Sequence, residues 1–178
     1  MVFTFVGMPG CGKSCMGRAL SSKLRIRALD TDKMIERKYG KRLQELIDEH
    51  GNDGFGKIEE DMLLSIYDNP VNNVIISTGG SAIYYERAME HLRSLGKVIY
   101  LYCSYETIEK RLGDFSARGV VLKPGYTLRD LYDERCRLYE KYADYTVDCD
   151  GNGYTVYQNK TARLIKNCIK RHKKQTEQ

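Results

Sequence analysis

Val2-Phe3-Thr4-Phe5-Val6-Gly7-Met8-Pro9-Gly10-Cys11-Gly12-Lys13-Ser14 opens the chain with a short apolar, β-prone run that turns directly into glycine. The second half of this stretch fits GxxxxGK[ST]. It follows a predicted strand over 2–6 and opens a predicted helix over 13–24, where Met16, Ala19, Leu20 and Leu24 keep helical spacing. That context is what a phosphate-binding loop requires. Glycines reach the backbone angles that let N–H groups curl around phosphate oxygens, and the helix N-terminus adds its positive dipole end. Gly7, Gly10, Cys11, Gly12, Lys13, Ser14 and Cys15 are therefore the expected nucleotide-binding set. Lys13 is expected to reach the β- and γ-phosphates, and Ser14 to ligate Mg²⁺.

Outward from the loop, strand and helix signals alternate. Strands are expected at 26–29, 74–77, 97–102 and 145–147. Helices are expected at 33–39, 43–50, 55–67, 84–95, 106–112, 127–142 and 155–170, with Gly40 and Gly51 as stops. Strands separated by helices imply a parallel sheet with right-handed crossovers and helices on both faces. With the first strand this gives five strands in a three-layer α/β/α domain spanning 1–178. Residues 113–125 lack periodicity and contain Arg118, which reads as a mobile lid able to exclude water.

Composition narrows the function. The chain has 178 residues, 30% charged and 42% hydrophobic, the profile of a soluble globular domain. No apolar run approaches the roughly 20 residues of a membrane span. The N-terminus lacks the basic segment of a signal peptide, so a cytoplasmic location is expected. The six cysteines form no CxxC pair and are read as reduced thiols. Net charge is +5, with seven Lys or Arg and no acid between Lys160 and Lys174. Aromatic residues do not interleave with that run, so a solvated helix face is favoured over a nucleic-acid or membrane patch. A guanine-reading Asn-Lys-x-Asp is absent, since Asn159-Lys160 is followed by Thr161. Size favours a small-metabolite or nucleotide kinase, expected to work as a monomer, and Arg118 and Arg135 fit an anionic substrate.

Three further places fit a substrate pocket. Asp30-Thr31-Asp32 ends the second strand, where carboxylates overlook the ligand crevice of α/β sheets; Asp32 as a helix cap is the competing reading. Thr78-Gly79-Gly80-Ser81 follows the central strand and offers either close backbone approach to a ligand or a plain turn. Arg135 sits on a helix and is either a substrate contact or an exposed arginine.

In this order the pieces resemble the shikimate kinase family, from Val2 to about Val147. The resemblance implies ATP and Mg²⁺ as cofactors, and transfer of the γ-phosphoryl group to a hydroxyl of shikimate. It implies that Asp30 holds Mg²⁺ through water and that Asp32 binds substrate hydroxyls and serves as base. Gly79, Gly80 and Ser81 would wall the substrate site, with Glu59 beside them. Arg118 would close over substrate and γ-phosphate, Arg135 would reach the substrate carboxylate, and Arg111 would lie against the adenine. Catalysis would rest on Lys13, Asp32 and Arg118.

Three positions depart from the family pattern. Gly56 stands where the family places its main carboxylate-binding arginine, Ser81 replaces a glycine, and Val120-Val121 follow Arg118-Gly119. An arginine restored at 56, beside Glu59, is expected to tighten binding of a carboxylated acceptor. Rival readings are a kinase of a polyol, sugar acid or hydroxy amino acid, and a non-catalytic nucleotide- or nucleic-acid-binding protein.

Overall fold

Apolar strands can be buried only if their backbone N–H and C=O groups pair with neighbouring strands. The computed structural model, which describes residues 1–67, 73–113, 125–150 and 153–176, shows that pairing as one five-stranded sheet of order β2-β3-β1-β4-β5. The strands are β1 (Val2–Val6), β2 (Arg27–Asp30), β3 (Val74–Ser77), β4 (Gly96–Tyr102) and β5 (Tyr145–Asp148), all parallel. β1 is central, with Phe3 beside Ile75 of β3 and Lys97 of β4. All five of its residues are buried although successive side chains point to opposite faces. Both faces of the sheet are therefore covered.

The covering helices are α1 (Lys13–Leu24), α2 (Thr31–Tyr39), α3 (Leu43–Leu64), α4 (Glu86–Leu95), α5 (Tyr105–Leu112), α6 (Leu128–Tyr142) and α7 (Tyr154–Thr176). α1 lies against β1, β2, β3 and α7, while α4 packs on β1, β4 and α3. The main core gathers around β1, β3 and β4. A second, smaller core of Ile35, Leu46, Phe55 and Met62 fastens α2 to α3. That small core matters for function because α2 and α3 carry one wall of the cleft described below.

Several boundaries differ from the sequence expectation. The helices expected at 43–50 and 55–67 are both present and follow one another within α3, with non-helical backbone at Gly51 (φ 67°, ψ 176°) marking the kink between them. Gly51 stops the first of the two, as expected, and the second follows directly after the kink. The helix expected at 84–95 splits into a 3-10 turn, Ala82–Tyr84, and α4. α7 runs to Thr176, so its basic residues continue a helix whose apolar side reaches Ile165 and Cys168. α2 begins at Thr31 because Asp30 caps it, its carboxylate accepting from the Lys33 N–H at 3.2 Å. Asp32 is therefore not the cap and stands in the first turn. All six cysteines are free. Among the described residues no helix is long and apolar enough to cross a membrane.

Candidate active site

The carboxyl ends of β1, β2, β3 and β4 converge on one edge of the sheet, where open α/β folds bind ligands. The loop after β1 curls there through glycines in the left-handed region, with Gly10 at φ 81° and Gly12 at φ 100°. A Cβ on Gly7 would lie 2.7 Å from the Leu101 carbonyl, so no larger residue fits between the loop and β4. Lys13 is buried, and its ammonium donates to the Gly7 carbonyl at 2.7 Å and the Met8 carbonyl at 3.1 Å. The Ser77 hydroxyl donates to the Lys13 carbonyl, tying the end of β3 to the start of α1. Cys11 is buried beneath the loop, and burial pushes its thiol pKa up. Cys15 is exposed, with its sulfur 3.6 Å from the Tyr154 hydroxyl.

Beside the loop opens a cleft of about 880 Å³. It brings together Gly10, Gly12, Lys13, Ser14, Cys15, Asp32, Glu59, Gly79, Gly80, Ser81 and Arg135, most of the expected set. Asp30 lies on an adjoining groove of about 210 Å³ that also exposes Ser14 and Arg18. Arg111 flanks the loop from α5, its guanidinium 3.4 Å from both the Gly10 carbonyl and the Cys103 sulfur. Arg118 and the lid expected at 113–125, apart from Gly113 and Gly125 themselves, lie outside the described residues.

The acceptor end of the cleft is organised around Glu59. This carboxylate is 7% exposed and accepts hydrogen bonds from the Ser81 hydroxyl, 2.7 Å from each oxygen, and from the Tyr85 hydroxyl at 2.8 Å. Burial pushes its pKa up, and the two hydroxyl donors oppose that shift. Asp32 faces it. Burial, then the nearby Glu59 and Asp30 charges, raise Asp32 to about 6, against the pull of Lys13. Both carboxylates close on the same backbone. A Cβ on Gly79 would lie 2.7 Å from Glu59 Oε1 and 3.1 Å from Asp32 Oδ1. Gly80 is equally confined, between Pro9 and the Arg135 guanidinium, and its carbonyl accepts from the Tyr139 hydroxyl at 2.7 Å.

Arg135 is buried, not the exposed helical arginine of the competing reading. Its Nε donates to the Tyr84 hydroxyl at 3.4 Å, and its guanidinium stands 5.3 Å from the Tyr84 ring centre. The outer end of the guanidinium lies against Gly80 and lines the cleft. At position 56 the space is tight. A Cβ on Gly56 would meet the Tyr85 hydroxyl at 3.1 Å. Lys57, its neighbour, is exposed and does not line the cleft.

Sequence reasoning missed Tyr84, Tyr85 and Tyr139, which brace Arg135, Glu59 and Gly80, and it missed Arg42 and Phe55 on the cleft wall. The tandem Tyr84-Tyr85 directly after the Gly79-Gly80-Ser81 turn was the available signal.

This arrangement can hold a polyphosphate at one end and a hydroxylated anion at the other. Comparison with known proteins agrees. The family model described as Shikimate kinase matches residues 9–171. A shikimate kinase of Bacillus anthracis is 34% identical over 164 residues, covering 92% of this chain and 93% of that one. One of Pseudomonas paraeruginosa is 36% identical over 147 residues, covering 82% and 84%. The structure of an Acinetobacter baumannii shikimate kinase in complex with shikimate superimposes with a TM-score of 0.77 at 31% identity, covering 97% of this chain and 94% of that one. With the phosphate loop, the sheet order and matches of this extent, the chain belongs to the shikimate kinase family.

Proposed function

We propose that the cleft transfers the γ-phosphoryl group of ATP to a hydroxyl of shikimate, with the following division of roles. The backbone N–H groups of the loop and Lys13 hold the β- and γ-phosphates. Lys13 gives up its carbonyl partners for phosphate oxygens, an exchange within reach of the same ammonium. Asp32 and Glu59 accept hydrogen bonds from the acceptor's hydroxyls. Asp32, the carboxylate whose charge Lys13 favours, receives the proton of the attacking hydroxyl. Arg135 pairs with the acceptor's carboxylate, and Arg111 lies along the nucleoside. Arg118 adds a positive charge at the γ-phosphate.

Mg²⁺ fits the residues present. Ser14 offers a hydroxyl and Asp30 a carboxylate on one groove, and Asp30 commits a single oxygen to capping α2. These are hard oxygen donors, and Mg²⁺ takes few protein ligands, completing its shell with water and phosphate. When bound it neutralises charge on the phosphates. The rest of the catalysis is positioning and charge placement by the chain itself.

The observation that carries the reading is the convergence of Asp32, Glu59 and Arg135 on Gly79-Gly80, directly beside the Lys13 loop. Two carboxylates suit hydroxyl donors, and the buried guanidinium suits an acceptor's carboxylate. A coupled assay with ATP and shikimate tests it. Shikimate-dependent ADP release that falls at least about 30-fold in kcat/KM on Arg135→Ala is expected, since a buried charge-assisted contact is lost. Wild-type protein inert on millimolar shikimate would overturn it.

A further inference from the structure

Away from Lys13 and Arg18, which stand on α1, the cleft is lined by the acids Asp32, Glu36 and Glu59 of α2 and α3 and by the buried Arg135 of α6. Arg18 also borders the cleft, but it stands on α1 one turn beyond Ser14 and shares the Ser14–Asp30 groove, so it belongs to the phosphate end. A carboxylated acceptor entering past three acids needs more than one guanidinium, particularly one whose Nε is directed at Tyr84. Position 56 supplies no charge, and the Tyr85 hydroxyl crowds it.

We infer that Arg42 is the second cation of the acceptor site, meeting the acceptor's carboxylate from the rim while Arg135 meets it from within. The inference rests on the shikimate reading above and assigns a specificity residue within it. Arg42, the residue that precedes α3, lines the cleft together with Leu43, Gln44 and Ile47. Its backbone is fixed, because its N–H donates to Glu45 Oε2 at 2.6 Å and the small core through Leu46 and Phe55 holds α3 against α2. Its side chain is exposed and takes part in no ion pair among the described residues. A partner arriving in the cleft therefore has no carboxylate among the described residues to displace from this guanidinium, and the planar fork suits a carboxylate. Phe55 and Ile47 add apolar surface to the same cleft.

Steady-state kinetics with wild type, Arg42→Ala and Arg42→Lys test this, using shikimate and its analogue with the carboxylate reduced to a hydroxymethyl group. Arg42→Ala should raise KM for shikimate about 10-fold and leave kcat and KM for ATP within about 2-fold, because a carboxylate remote from the reacting hydroxyl is bound alike in ground and transition states. Arg42→Lys should recover part of the loss. On the hydroxymethyl analogue, wild type and Arg42→Ala should be equal. A melting curve for each variant separates loss of binding from loss of fold. Unchanged KM for shikimate in Arg42→Ala, or an equal loss on both acceptors, overturns the inference while leaving the shikimate reading intact. Wild type inert on shikimate overturns that reading, and the inference with it.

Discussion

The two ends of the cleft lie about one loop apart and are built from different materials. At the phosphate end the groups that face a ligand are largely main-chain: a glycine-rich turn, the first turn of α1, and one lysine already bonded to loop carbonyls. At the acceptor end they are side chains drawn from α2, α3, the Gly79–Ser81 turn and α6, steadied by three tyrosines. Backbone geometry imposes a short contiguous pattern, because only particular residues fit particular φ values and close approaches. Side-chain geometry imposes none, since the same contact can be rebuilt from another element. The phosphate end therefore keeps its family's pattern, and the acceptor end has exchanged parts.

The largest effect is expected where substitution is least tolerated. Lys13→Ala should lower kcat at least about 100-fold, since a positive charge facing the transferring phosphoryl group is lost from a site that excludes water. The ammonium also satisfies the Gly7 and Met8 carbonyls, so a destabilisation of about 1–2 kcal/mol should accompany it. A coupled assay and a melting curve read both. Turnover within a few-fold of wild type would break the comparison at its stronger end.

Asp32→Asn should abolish most activity and yet stabilise the protein. Asp32 titrates at about 6 in the folded chain against an ordinary 3.8, chiefly because burial and Glu59 disfavour its charge. The folded state thus holds this proton more tightly than the unfolded chain. Stability from the protonated group is present below about pH 4 and is lost as pH rises through about 6. Asparagine carries no such loss. The variant should melt higher than wild type at pH 8, by up to about 3 kcal/mol, and equally at pH 4. The same group should give kcat/KM of the wild type an acid limb near pH 6. Equal melting of the two proteins at pH 8 would show that Asp32 is not held in the strained state that a base role uses.

These two predictions also mark what was legible in the sequence. The loop, its flanking strand and helix, and the order of strands and helices followed from periodicity and a contiguous motif. Asp32, Glu59, Gly79, Gly80, Ser81 and Arg135 were named from the family resemblance and meet in one cleft. What was not legible depended on contacts between distant positions. Nothing local to Tyr85 announces that its hydroxyl lies against Gly56 and Glu59, 29 and 26 residues earlier. Asp30 and Asp32 both satisfy the preference for a cap, and only the start of α2 at Thr31 separates their roles. Gly51, by contrast, was legible as a helix stop: the chain kinks there between the two halves of α3, the second of which Phe55 and Met62 fasten to α2.

Gly79→Ala should come next in size. Its Cβ would stand 2.7 Å from Glu59 Oε1 and 3.1 Å from Asp32 Oδ1, and both carboxylates must move to admit it. Displacing two substrate-facing groups together should lower kcat/KM for the acceptor about 10- to 100-fold, at nearly constant KM for ATP. An equal loss in ATP affinity would show that the two ends of the cleft are not separable units.

The smallest effect sharpens the comparison most, because it asks whether the acceptor end has been rebuilt or merely depleted. If Gly56 were a simple loss, Gly56→Arg alone would restore a cation beside Glu59. Whether it does depends on Tyr85, whose hydroxyl stands 3.1 Å from the first side-chain atom any residue there would add and must give way by a few tenths of an ångström. Tyr85→Phe removes one of the hydrogen bonds that hold Glu59 and should raise KM for the acceptor about 10-fold with kcat held. Gly56→Ala presses on the same hydroxyl and should raise KM about 3-fold, corresponding to roughly 0.6 kcal/mol of displacement. Combined, the two should cost less than the product of the single effects, because the phenylalanine ring no longer presents the oxygen that the new methyl group meets. Non-additivity of this sign makes Gly56 and Tyr85 one unit, in which a small residue on α3 admits a tyrosine that does part of an arginine's work. Strict multiplication of the two KM effects would instead mean that Gly56 is an isolated vacancy and that the acceptor end differs from the phosphate end only in having lost a residue.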